Sequence, residues 1–330
     1  MFRFSIIVPV YNRPEEIEEL LNSLSNQSSK NFELVLVEDG SSRPSNEIAD
    51  KYREQLCIKY ISKPNTGRSD SRNAGMENAS GEYFVFFDSD CIIPPYYFET
   101  LEKELKINYA DCFGGPDKAH ESFSDIQKAI NYAMTSFWTT GGIRGGKVNM
   151  EKFMPRTFNM GFSRKAYSAV GGFKDMFGED IDLSMRIKEA EFPIKLYRDV
   201  FVYHKRRVSL KKFYKQVNIF GIARINLYKL YPKSLKPVHV LPSIFTLGSV
   251  VLLILSFFSI CFLIPIVFFT LLLFIDSLAR NKSIHIALLS VIACYIQLYA
   301  YGWGFIKSFT EKIIFREGLE DIETLKQKYK

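Results

Sequence analysis

The stretch Tyr83-Phe84-Val85-Phe86-Phe87-Asp88-Ser89-Asp90-Cys91 decides how the rest of the chain is read. Five apolar or aromatic residues in a row, all strand formers, predict a strand buried on both faces, as in a parallel sheet. Two carboxylates one residue apart stand at its C-terminal end, where an open α/β sheet receives its ligand. Buried without compensation they would be costly, and a hard divalent cation bridging them to a phosphate-bearing ligand would resolve the conflict. A turn beginning with Asp and Ser has the same letters, so the pair takes its meaning from its neighbours.

Upstream, Phe4 to Val10 reads as a first strand, followed by Tyr11-Asn12-Arg13 and a helix opening at Pro14 with Glu15 and Glu16 in its first turn. Phe32 to Val37 is a second strand ending in Glu38-Asp39-Gly40. Residues 45–55 look helical, Cys57 to Ile61 is a short strand, and Gly67 to Ala79 a helix. The β-α-β-α-β-α-β order implies a parallel sheet with right-handed crossovers, bringing Tyr11, Asp39, Asp88 and Asp90 to one edge.

Downstream, a helix starts at Pro94-Pro95, and Ala110 to Gly115 is a further strand. Residues 122–157 show no clear periodicity. Within them Gly141 to Lys147 has P-loop spacing, but Val148 stands where the Mg2+-binding hydroxyl belongs and no apolar strand precedes it, which rejects a P-loop. A mobile glycine-rich loop and a plain linker both fit. Phe158 to Phe162 reads as a strand returning to the sheet, and Gly178-Glu179-Asp180-Ile181-Asp182 opens a helix whose acids suit its dipole. Lys195 to Val202 is a last strand that delivers His204; a lone His is more often structural than a ligand.

The net charge of +7 is local. Residues 200–240 hold ten Lys or Arg and no acid, against 25 basic and 30 acidic residues in 1–199. That collar suits anionic lipid headgroups better than nucleic acid. Ser209 to Leu230, with apolar residues between its lysines, predicts an amphipathic helix on the headgroup layer; a helix packed on the soluble domain with a solvated basic face is the alternative. No charged residue occurs from Val240 to Ile275, and Ile284 to Ile306 carries only His285. As one helix the first run would be roughly 54 Å long against a hydrocarbon core of roughly 30 Å, so it predicts two tight segments broken near Phe257 to Ser259. No stretch reads as a signal peptide, which predicts a cytosolic catalytic part. Five cysteines without CxxC spacing suggest neither a zinc site nor a disulfide framework.

The ordered pieces SIIVPVYNR, VEDGSS, PNTGRSDSRNAG, FVFFDSDC, NMGFSRKAYSAVGGF, GEDIDLSMR and VYH resemble the family 2 glycosyltransferases of GT-A fold over roughly residues 3–207. The tail, with KQVNIFGIAR and YGWGFIK, resembles the subgroup with C-terminal membrane helices that acts on lipid-linked glycans. The resemblance implies inverting transfer of a sugar from a nucleotide-diphosphate donor, UDP above others, to a hydroxyl of a polyprenyl-diphosphate-linked acceptor. It implies Pro9 and Tyr11 at the base, Asp39 on uracil or ribose, Arg72 near the donor and Asp88 on ribose or donor sugar. It further implies Mn2+ or Mg2+ at Asp90 with His204 as an additional ligand, Asp180 as general base, and Glu179, Asp182 and Asn159 toward the acceptor. The chemistry suits these types independently: a departing diphosphate needs cationic stabilisation and the attacking hydroxyl needs one base.

The Gln-x-x-Arg-Trp motif of processive synthases is absent, since Val217-Asn218-Ile219-Phe220 follows Gln216. The expected organisation is an α/β catalytic domain over 1–207, a basic interfacial helix and linker over 208–236, a membrane domain over 237–307 and a polar tail over 308–330. Its membrane segments fall near 240–257, 260–276 and 284–306, in a multi-pass protein of the bacterial inner membrane. A nucleotidyltransferase on a related sheet would want a glycine- and arginine-rich loop after the first strand, and YNRPEEIEE is not one. A non-catalytic scaffold would have no reason to keep Asp39, Asp88, Asp90, Asp180 and His204.

Overall fold

A computed structural model describes residues 4–141, 154–205 and 207–315. The chain divides into two compact units, Met1–His120 with Val148–Lys205 and Glu121–Lys147 with Arg206–Lys330. The glycine-rich stretch from Gly142 on and the tail beyond Phe315 lie outside the described residues.

In the first unit, strands β1 (Phe4–Val10), β2 (Phe32–Asp39), β3 (Ile58–Lys63) and β4 (Tyr83–Phe86) pair in parallel in the order β3-β2-β1-β4. Helices α1 (Pro14–Ser25), α2 (Asn46–Lys51) and α3 (Arg68–Glu77) connect them. Alternate side chains go to opposite layers. Ile6, Val8, Leu34 and Leu36 pack with Ile17, Leu20 and Leu24 of α1, whereas Ile7, Val35, Phe84 and Phe86 pack with Met76 of α3. Both faces are therefore covered, which is why these strands read as continuous apolar runs. Gly75 lets α3 approach the sheet: a Cβ there would lie 2.4 Å from Ile7 Cγ2.

Beyond β4 the sheet is mixed. It is completed in the order β8-β6-β9 by β8 (Met160–Ser163), antiparallel to both β4 and β6 (Cys112–Gly114), and by β9 (Ile194–Leu196), parallel to β6. A second sheet holds β5 (Cys91–Ile92), β10 (Val202–His204) and β7 (Asp117–Lys118), with β10 in the middle. The single last strand expected over Lys195 to Val202 is thus two strands in two sheets, separated by a turn in which Val200 N bonds Tyr197 O. Helices α4 (Tyr97–Ile107), α7 (Arg164–Val170) and α8 (Glu179–Glu189) complete the unit.

The second unit is helical. The first part of the stretch that showed no periodicity, residues 122–141, forms α5 (Asp125–Thr135) and the short α6 (Phe137–Thr140), and belongs here instead of in the domain expected over 1–207. The other members are α9 (Leu210–Leu230), α10 (Leu241–Leu255), α11 (Ile264–Asn281) and α12 (Ile284–Phe309). Ile130, Ala133 and Met134 of α5 share a core with Phe213 and Val217 of α9 and with Leu273, Ala293, Cys294 and Ala300. That core explains α5's placement, because its apolar face finds its partners only in the C-terminal helices.

The apolar stripe of α9 is not free for headgroups. Gly221 and Gly304 bring α9 and α12 into close contact, their Cβ positions lying 2.3 Å from Tyr301 O and Asn218 O respectively. Asn218 donates to Ala300 O at 2.9 Å. The apolar run breaks after Leu255, as expected. Among the described residues, however, of three apolar helices only Ile260–Asn281 and Ile284–Ile314 have the length and composition to cross a membrane; Leu241–Leu255 is shorter.

Candidate active site

Asp88 and Asp90 follow β4 at the C-terminal edge of the parallel strands, and pairing of Cys91 with His204 sets the imidazole beside them. His204 Nε2 lies 3.1 Å from Asp90 Oδ1 and 3.8 Å from Asp88 Oδ2. Phe158 stacks on the ring at 4.8 Å, and His204 Nδ1 is buried without a hydrogen-bond partner among the described residues. The other Asp90 oxygen accepts from Arg13 Nη1 at 3.2 Å. Arg13 was not foreseen, although its place directly after the first strand was a signal for it.

Arg72 joins this edge to α8. Its side chain is 2% exposed, donating through Nη2 to Asp88 and through Nη1 to Glu179, both at 3.0 Å. Arg68, one turn earlier, donates to the second Glu179 oxygen at 3.0 Å, and Glu179 in turn pushes the Arg68 guanidinium pKa up. The i, i+4 spacing of two arginines in PNTGRSDSRNAG was legible; only Arg72 was singled out. Buried charges of this kind persist only when paired. Gly178, at φ 86°, turns the chain so that Glu179 starts α8, where the helix dipole also favours a carboxylate.

Asp180 is the next residue. Its carboxylate meets Arg156 Nη1 at 3.3 and 3.4 Å, and its Oδ1 accepts from Ile181 N. Arg156 belongs to the stretch without periodicity, so nothing in the sequence marked it. Asp182 is fully buried against Arg186 and Lys174; since Arg186 also donates to Val170 O and Gly172 O, Asp182 helps to hold that turn. Asn159 is likewise 0% exposed, accepting from Tyr97 Oη and donating to Val200 O and Pro116 O. Neither presents a polar atom to an acceptor in this geometry.

On the donor side Tyr11 is 49% exposed at the end of β1, and Pro9 pairs in register with Val37. Asp39 is buried: Oδ1 accepts from Lys63 Nζ at 2.7 Å and Thr66 N at 3.0 Å, and Oδ2 from Gly67 N at 2.9 Å. It thereby ties β2 to the start of α3. Burial lowers the pKa of Lys63, but hydrogen bonds to Asp39 and Asp70 outweigh it and the net shift is upward. Asn12, at φ 54°, accepts from Ser42 Oγ and Arg43 N, stitching the first two turns together.

Whether this edge suits a divalent cation follows from its donors. Asp90, Cys91 and His204 bring their ligand atoms within 4.8 Å of one another. Cys91 Sγ is a buried thiol that donates to Phe158 O at 3.5 Å, and a soft sulfur is the least suited of the three to a hard cation. Asp90 and His204 remain, with Asp88 Oδ2 3.8 Å from the imidazole, a set of oxygen and nitrogen donors that fits Mn2+ or Mg2+.

A mostly parallel sheet flanked by helices, with acids and a histidine gathered at one strand edge, is the arrangement of the GT-A fold. The fold is similar to that of the mannosyltransferase PcManGT from Pyrobaculum calidifontis, solved with GDP-Man and Mn2+, with TM-score 0.62 and 17% identity over 94% of this chain and 88% of that one. The Glycosyl transferase family 2 model matches residues 5–171, and the chain belongs to that family. It is 42% identical over 114 residues to glycosyltransferase GlyA of Streptococcus pneumoniae, covering 34% of this chain and 16% of that protein. It is 33% identical over 111 residues to the cholesterol galactosyltransferase of Borreliella burgdorferi, covering 33% and 31%. The matches thus span about a sixth to a third of these relatives' length.

Proposed function

We propose that the chain is an inverting, metal-dependent glycosyltransferase, moving a sugar from a nucleotide-diphosphate donor, a UDP-sugar before others, to a hydroxyl of a polyprenyl-diphosphate-linked acceptor at a membrane. The observation that carries this is the convergence of Asp88, Asp90, His204 and, through Arg72 and Glu179, the start of α8 with Asp180. The GDP-Man and Mn2+ of the mannosyltransferase support the donor and metal classes, and the cholesterol acceptor of the Borreliella enzyme supports a lipid-borne one.

In this reading Pro9 and Tyr11 line the donor base, Asp39 holds the turn beneath it, and Asp88 with Arg72 faces ribose or donor sugar. Asp90 and His204 would hold Mn2+ or Mg2+, whose charge offsets that of the leaving diphosphate. Arg13, which pairs with Asp90, would add its own charge beside the diphosphate. Asp180 accepts the proton of the attacking hydroxyl, and Arg156 holds the carboxylate in place until acceptor enters. One displacement with one base inverts the anomeric centre, because retention by two steps would need a carboxylate nucleophile.

The test is transfer of label from a panel of nucleotide sugars to lipid-linked acceptor by the full chain in lipid or detergent with Mn2+. Transfer with inverted anomeric configuration, abolished by a chelator, supports the proposal. Release of pyrophosphate in place of nucleoside diphosphate would replace it with nucleotidyl transfer.

A further inference from the structure

The turn between α10 and α11 is built for hydrocarbon. Phe257, Phe258 and Ile260 are 90%, 83% and 78% exposed, and Val250, Val251, Leu253, Ile254, Ile264, Val267 and Phe268 are each about half exposed or more around them. A turn joining two spanning helices emerges into water on the far side, where such side chains would be solvated at a cost of roughly 1.5–3 kcal/mol apiece. The length of α10, unlike that of Ile260–Asn281, points the same way. The 15 residues of α10 make a helix of about 22 Å, short of a hydrocarbon core of about 30 Å. Phe245 of α10 and Phe269 of α11 meet ring to ring at 5.4 Å, 11 residues before the turn and seven after it.

Charge returns only at the open ends. Lys229, Lys233 and Lys236 precede α10, and Asp276, Arg280 and Lys282 close α11. The cationic excess at both ends complements anionic headgroups of a single leaflet.

We infer that α10 and α11 form a re-entrant hairpin: the turn Ser256–Phe262 rests inside the bilayer and both helices leave on the same face. The expected pair of crossings in Val240 to Ile275 becomes none. This rests on the membrane location in the proposed function, not on the chemistry.

Cys261 lies in the turn and is exposed; apart from Cys57, the other cysteines are buried. The experiment uses the full chain carrying Cys57→Ser, expressed in bacteria, with Lys233→Cys or Lys282→Cys added singly. A membrane-impermeant maleimide is applied to spheroplasts and to inverted vesicles. The expected result is that both added cysteines label from one and the same face, while Cys261 labels from neither until detergent is added. Labelling of Cys261 from the face opposite the ends, or of the two ends from opposite faces, would show crossing helices and overturn the inference while leaving membrane location standing. Protein recovered in the soluble fraction, with Cys261 labelled without detergent, would overturn both. Sugar transfer, assayed separately, judges the glycosyltransferase reading alone.

Discussion

Arg72 is the side chain on which the site's internal order depends, because one guanidinium serves acids from two separate elements. Replacing Glu179 by Gln leaves Arg72 buried with half its compensation. A loss of about 3 kcal/mol is expected, toward the low end for a broken buried pair because Arg68 is half exposed; thermal melting in detergent reads it. Asp180→Asn has a different signature, since the residue is isosteric and the partner Arg156 partly exposed. Melting should shift little, with transfer lost and calorimetric donor binding retained; turnover surviving in that variant would remove the base assignment. A third expectation concerns pH. The folded state raises the Lys63 pKa above its ordinary value of 10.5, so the native chain binds that proton more tightly. Its contribution is complete at neutral pH and fades as pH climbs past the ordinary value. As pH rises beyond 10.5, melting curves should begin to converge for the parent and Lys63→Met, and a constant gap between them would contradict the assignment.

At the scale of elements, the parallel half of the sheet was legible because β1, β2 and β4 are largely apolar runs and each turn carries its own signal. The acids at the strand ends were legible for the same reason. What escaped was set by pairing, not by local letters. β9 and β10 are three residues each and adopt different sheets, so a run that looks continuous is divided by its neighbours. Asn159 and Asp182 looked like site polar groups because they adjoin site motifs, yet full burial with internal partners makes them part of the fold. Arg156 and α5 lay in a stretch whose periodicity is completed only by helices far along the chain. Likewise the stripe on α9 is amphipathic in sequence, but Gly221 and Gly304 commit it to α12. Gly221→Val should therefore separate the two helices and lower stability by about 1–3 kcal/mol, visible as a drop in detergent melting temperature; an unchanged melt would mean that this helix contact contributes little.

At the scale of the molecule, the helical unit is assembled from two segments, and the shorter interrupts the sheet unit's sequence. A chain ended after Lys205 would keep every strand and every site acid while stripping α5 of the core it shares with Phe213, Val217 and Ala293. Such a truncation should run as aggregates in size-exclusion chromatography, and excising residues 121–141 as well should restore a smaller, dispersed species. The same interruption bears on biosynthesis. Tyr132 bonds Asp276 across 144 positions, and Asp125 meets His285 across 160. At roughly 5–20 residues per second, a ribosome needs about 7–30 s to supply those partners. Through that interval the nascent α5 carries a sticky face with nowhere to dock, and a holdase or an early encounter with the lipid surface would have to shield it.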